Sequence, residues 1–150
     1  MSQIESRKKA LVIAVSEYDE GSNLTSLPFC KNDGNEMIEL LKDAGYEIKN
    51  VNGLIGRIDG RLMQDCIYSF FKDDIKSDDT ILFYFSGHGV PGDDDFFLSS
   101  SNIDQSKPKM RGFSFADLSG EITNCRAKRV VTILDSCYAG SLNISGKGNE

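Results

Sequence analysis

At 150 residues and 16.6 kDa, 39% apolar and 27% charged, the chain has the size and composition of one globular domain with a real core. Seventeen Lys plus Arg against twenty-three Asp plus Glu leave a net charge of −6 and an isoelectric point near 4.8, which argues against a surface built for nucleic-acid phosphates. No apolar run approaches the roughly 20 residues of a membrane span, and Met1 to Lys9 hold no apolar signal stretch, so a cytoplasmic chain without a membrane partner is expected.

In chain order, Ala10 to Val15 (ALVIAV) predict a strand apolar on both faces, the pattern of a parallel sheet covered on both sides. A helix is expected from about Asp33, with Met37, Leu40, Leu41 and Ala44 on one face and Gly45 as its stop. Tyr46 to Val51 read as a further strand, and Leu62, Cys66, Phe70 and Phe71 share one side of a second helix. Ile81 to Phe85 (ILFYF) repeat the two-faced strand pattern. Phe115, Leu118, Ile122 and Cys125 mark a third helix, opened by Ser114 and Asp117 at capping-box spacing, and Val130 to Leu134 (VVTIL) close the series as a strand. This alternation predicts an α/β sandwich: a mostly parallel central sheet with helices on both faces.

In such sheets ligands gather beyond the carboxyl ends of the strands. The first run leads into Ser16, Glu17 and Tyr18; the second into Ser86-Gly87-His88-Gly89; the last into Asp135-Ser136-Cys137-Tyr138-Ala139-Gly140. The one histidine and one cysteine thus follow two strands, and a thiol–imidazole pair held on a rigid frame is the chemistry these residue types support. The flanking glycines let backbone N–H groups approach a substrate carbonyl. The alternative for His88 is a hydrogen-bonded structural histidine. Cys66 and Cys125 continue apolar helix stripes and read as core. The four cysteines form no CxxC pair, which suits a reducing compartment, and one histidine makes a His/Cys zinc site hard to assemble. Gly87, Gly89 and Gly92 spell GxGxxG, but Pro91 and three aspartates follow where a phosphate-binding turn should open a helix. A phosphatase role for Cys137 fails because no Arg follows it.

These residues carry a resemblance. Ala10 to Val15, Cys30-Lys31-Asn32-Asp33, Phe85-Ser86-Gly87-His88-Gly89 and Leu134-Asp135-Ser136-Cys137 resemble, in order and spacing, the caspase-like cysteine peptidases, and among them the metacaspase and orthocaspase branch. The resemblance implies the caspase-haemoglobinase α/β/α fold and a peptidase dyad of His88 and Cys137, with backbone N–H groups of Gly89 and Cys137 donated to the oxyanion. It further implies a substrate pocket of Cys30, Asp33, Ser86 and Asp135. Two carboxylates converging there would favour a guanidinium, so cleavage after Arg or Lys is expected. The alternative for Asp33 is a helix N-cap.

Asp93, Asp94 and Asp95 are candidates for Ca²⁺, but the family's calcium ligands are spaced differently, and a solvated acidic loop is the preferred reading; no other cofactor is expected. Residues 1–140 are expected to form the large-subunit catalytic domain and 141–150 a linker in which Lys147 offers a processing point. The expected partners are a protein or peptide substrate and a complementary small-subunit fragment, or another protein, covering an exposed sheet edge near Val130 to Leu134. Tyr138-Ala139 stand where metacaspases commonly have His-Ser. An inactive scaffold on the same fold, or a receiver-like signalling module with Asp135 as phosphoacceptor, are the competing readings; the latter leaves Ser86 to Gly89 unexplained.

Overall fold

The computed structural model describes residues 6–50 and 53–138, with Cys137 and Tyr138 defined by their backbone. A seven-stranded sheet forms the centre, and four of its six strand pairings are parallel. Strand β1 (Lys8–Val15) pairs in parallel with β2 (Glu47–Ile48) and β3 (Leu54–Gly56) on one side and with β4 (Thr80–Gly92) on the other. Strand β7 (Arg129–Tyr138) runs parallel to β4 on the side away from β1. Strands β5 (Asp95–Leu98) and β6 (Phe113–Ser114) add antiparallel pairings to the far end of β4, which makes the sheet mixed.

Alternation along the strands sends side chains to two faces, each with its own core. On one face Leu11, Ile13 and Val15 of β1 and Ile81, Phe83 and Phe85 of β4 meet Met63, Ile67, Phe70 and Phe71 of α2 (Gly60–Lys72) and Leu118 of α4 (Phe115–Asn124). On the other, Ala10, Val12, Leu82 and Tyr84 meet Ile38 and Leu41 of α1 (Pro28–Asp43). A short helix, α3 (Pro108–Arg111), links β5 to β6. The fold is thus an α/β sandwich, with helices on both faces of a mixed sheet.

Several local expectations shift. Helix α1 begins at Pro28 rather than near Asp33, because proline presets the helical φ and needs no N–H at the first position. Its buried stripe is therefore Cys30, Gly34, Ile38 and Leu41, and Leu40, expected inside, is 61% exposed. Leu62 and Phe115 likewise lie outside the buried faces of α2 and α4, where Met63 and Leu118 point inward. The expected strand from Tyr46 divides into the short β2 and β3, with 51–52 outside the described residues. The largest difference concerns β4. Residues after Phe85 do not form a loop: the strand continues to Gly92 and turns back through Asp93 and Asp94 into β5. Asp59 caps α2 and Ser114 caps α4, accepting from Asp117 N–H at 2.9 Å, as the capping spacing predicts.

Truncating Phe83, fully buried in the larger core, to alanine is expected to cost about 3–5 kcal/mol in urea unfolding, whereas Leu40→Ala should stay within about 0.5 kcal/mol. At the opposite end of the sheet from the glycine-rich segment, Arg7 donates to both oxygens of buried Asp79 at 3.0 and 2.7 Å, holding that carboxyl below the usual range against the opposing effect of burial. A lowered folded-state value means that this stabilisation is complete above the ordinary Asp pKa of about 3.9 and is lost as pH falls through the lowered value. Urea midpoints measured from pH 5 downward should therefore fall less steeply in Asp79→Asn than in the native protein.

Candidate active site

Parallel pairing between β4 and β7 runs unbroken from Thr80 opposite Arg129 to Gly89 opposite Tyr138. In that register Ser86 faces Asp135, Gly87 faces Ser136 and His88 faces Cys137. Adjacent strands lie about 4.8 Å apart, so the backbones of His88 and Cys137 are immediate neighbours. The two residues, 49 positions apart in sequence, share one rung of the sheet.

His88 is only 6% exposed, and its ring is held at one nitrogen. Nε2 lies 2.9 Å from the backbone carbonyl of Thr25, in the segment that leads into α1. A carbonyl can only accept, so Nε2 carries the proton and Nδ1 carries the lone pair. Nδ1 is buried and has no hydrogen-bond partner among the described residues. Leaving a buried acceptor unsatisfied costs roughly 1–3 kcal/mol, an expense unusual at a purely structural histidine. The imidazole therefore keeps one nitrogen without a partner among the described residues. The backbone of His88 is fixed as well: its N–H donates to the Tyr18 phenol at 2.9 Å, and its carbonyl accepts from Ser99 N–H at 3.1 Å. Gly89 sits within β4 between Leu98 and Tyr138.

The four expected pocket residues come together beside this rung. Cys30, on the first turn of α1, lies with Sγ 3.1 Å from Ser86 Oγ, both buried. Asp33 follows on the next turn and lines a groove of about 290 Å³ with Glu36, Met37, Leu40, Tyr84 and Asp135. Helix α1 can lie this close to β1 because residue 34 is glycine; a Cβ there would sit 2.7 Å from Ala14 Cβ. Asp33 is inside the helix rather than at its cap, since Leu27 holds the N-cap position. Burial pushes the Tyr84 phenol above its ordinary value, a hydrogen bond with Ser86 opposes this, and the charges of Asp135 and Asp33 add to the rise. The groove is acidic, and Glu36 supplies a third carboxylate.

The remaining expectations separate from this site. Asp93 and Asp94 form the exposed tip of the β4–β5 hairpin, and Asp95 accepts from the backbone N–H of Phe96 at 2.8 Å. Among the described residues no three His, Cys, Asp or Glu side chains are grouped to hold a metal ion. The 141–150 segment and Lys147 lie outside the described residues. Thr25, Glu36 and Tyr84 carried no sequence signal: a backbone carbonyl acts without regard to residue type, and the other two gain meaning only once α1 is laid against the sheet.

Two measurements check the arrangement. Nitrogen-15 NMR of the imidazole should show His88 as the Nε2–H tautomer in its neutral form; a dominant Nδ1–H form would contradict the Thr25 contact. Gly87→Ala would bring a Cβ to 2.9 Å from both Tyr18 Oη and Phe85 Cζ, so it should lower the thermal midpoint and shift the His88 resonances.

A family model for the caspase domain of peptidase family C14 matches residues 7–149. Among solved structures, the crystal structure of a Geobacter sulfurreducens protein aligns with a TM-score of 0.66 at 18% identity, covering 95% of this chain and 55% of that one. The chain thus spans about half the length of that structure, and at this identity the likeness concerns fold alone. No curated protein matches the chain. With the family match extending over nearly the whole sequence and the sheet and helices arranged as that family requires, the chain belongs to the caspase family of cysteine peptidases.

Proposed function

We propose that the protein is a cysteine endopeptidase in which Cys137 attacks a peptide carbonyl while His88 takes the thiol proton at Nδ1 and returns it to the leaving amine. The observation that carries this reading is the shared rung: Cys137 stands opposite His88 in register, and the nitrogen of His88 not held by Thr25 has no partner among the described residues. Attack would give an acyl-enzyme that water hydrolyses, with the tetrahedral oxyanion stabilised by backbone N–H groups of Gly89 and Cys137.

Substrate choice follows from the neighbouring groove. Asp33, Glu36 and Asp135 line a space that excludes an acidic side chain by like charge and suits a guanidinium or ammonium. We therefore assign it cleavage after Arg or Lys, in the metacaspase manner. Cys30, Cys66 and Cys125 form no disulfide among the described residues, which fits a reducing compartment such as the cytoplasm, and no helix described is long and apolar enough to cross a membrane.

A partner surface accompanies the site. Val131 and Ile133 of β7 are 39% and 36% exposed, beside Leu82 and Tyr84 on the same sheet face, where α1 does not reach. A complementary small-subunit segment is the occupant we assign to this face.

Peptide amides with Arg, Lys or Asp before the scissile bond test the reading, assayed with and without Ca²⁺. Cys137→Ala and His88→Ala should each abolish turnover, and Asp residues before the bond should not be accepted. Asp33→Asn should reduce kcat/KM for the Arg substrate roughly tenfold, the loss expected when a half-buried carboxylate that accepts a charge-assisted hydrogen bond is neutralised. Hydrolysis that survives loss of Cys137 would sink the dyad, and a preference for Asp substrates would sink the groove assignment.

A further inference from the structure

We propose that Tyr18 is the positioning residue of His88, its phenol standing in for a strand that has ended and so setting where the imidazole points; this rests on the dyad reading above. The pairing of β1 with β4 stops at Ala14 opposite Ser86. Two residues further along β4, His88 has lost that neighbour, and the phenol of Tyr18, three residues beyond the end of β1, takes its N–H at 2.9 Å. The same oxygen lies 2.7 Å from Oγ of fully buried Ser99, whose own N–H donates to the His88 carbonyl at 3.1 Å. The phenol and Ser99 therefore close a ring of hydrogen bonds around both backbone polar groups of His88. The two aromatic rings also touch edge to face, with centroids 4.9 Å apart.

The arrangement is built to admit the phenol. Gly87 leaves open the volume in which a Cβ would come within 2.9 Å of Tyr18 Oη. Tyr18 is itself held by its successor: Asp19 N–H donates to the Ser101 carbonyl at 2.8 Å, and the Asp19 carboxylate takes two hydrogen bonds from Arg57 at 2.9 and 2.7 Å. A phenylalanine would fill the same space but leave the buried His88 N–H without this acceptor, so the hydroxyl has a role that packing alone does not need. Tyr18 does not line the acidic groove, and its effect should fall on the chemical step rather than on substrate capture.

The test compares Tyr18→Phe and Ser99→Ala with the native full-length protein, using His88→Ala and Cys137→Ala as references. Three quantities are read: kcat and KM on an Arg peptide amide, the thermal midpoint, and the pH dependence of Cys137 alkylation by iodoacetamide, located by peptide mapping. Tyr18→Phe should lower kcat roughly 10- to 100-fold, as expected for a displaced catalytic base, with KM changed less than about twofold. Its alkylation profile should move toward that of His88→Ala. Ser99→Ala should shift both readouts in the same direction by less, and it decides the matter if Tyr18→Phe does not fold. Native kcat and an unmoved alkylation profile in both variants, with His88→Ala inactive, would overturn the role of Tyr18 while leaving the dyad intact. A lowered thermal midpoint with an unmoved profile would also overturn it, as a purely structural effect. An active His88→Ala would instead remove the dyad.

Discussion

The register between β4 and β7 is the constraint on which the site depends. Side chains alternate along each strand, so a slip by one residue would bring Ser136 or Tyr138 opposite His88 and turn the Asp135–Cys137 set to the other face. What prevents the slip is burial. Phe83 and Phe85 of β4 must enter the core against α2, and Leu82 and Tyr84 must face α1, so β4 cannot slip by one residue without driving each set into the core shaped for the other. Val130 and Leu134 of β7 pack partly against the larger core and tie the second strand to the same frame. Hydrophobic patterning along ordinary core residues thereby aligns two polar residues that have no sequence relation to each other.

Around that rung the protein retains groups that packing alone would not select. His88 is buried with one nitrogen unsatisfied among the described residues, and three carboxylates border one groove. Such local conflicts with stability are where function is usually found. Elsewhere buried polar groups are paired, as where Ser101 accepts from Ile58 N–H, Asn102 joins Asp59 to Gly60 and Asp79 is closed by Arg7; among the described residues the other buried polar side chain without a partner is Ser136, one residue before Cys137. Both unpartnered groups, His88 Nδ1 and Ser136 Oγ, thus lie on or next to the rung shared by His88 and Cys137.

Coverage of the two faces of the sheet is unequal. The face carrying Phe83 is closed by α2 and α4, whereas α1 covers β1 and β4 on the opposite face and leaves Val131 and Ile133 of β7 open among the described residues. The acidic groove lies where that coverage stops, between α1 and β7. The segment proposed to dock on the open part of the sheet would stand beside the groove, so covering the sheet and shaping the groove's remaining wall would be one physical event.

Much of this was legible in the residues themselves. Two-faced apolar strands announced a covered parallel sheet, helix stripes fell between them, and His88 and Cys137 stood out by following two of those strands. The helical faces were read a residue or two out of phase, as at Leu40 and Leu62, because periodicity alone does not say where a helix starts when Pro28 opens it earlier than its charged residues suggest. The long extension of β4 was hidden, since glycines and a proline normally end a strand and here β5 pairs with them. Residue chemistry along the chain determined which groups could react: a thiol, an imidazole and carboxylates. Tertiary structure alone decided which backbone carbonyl orients the imidazole, which phenol clamps it, and that Glu36 joins the groove, because these depend on distances between segments that one-dimensional order does not encode.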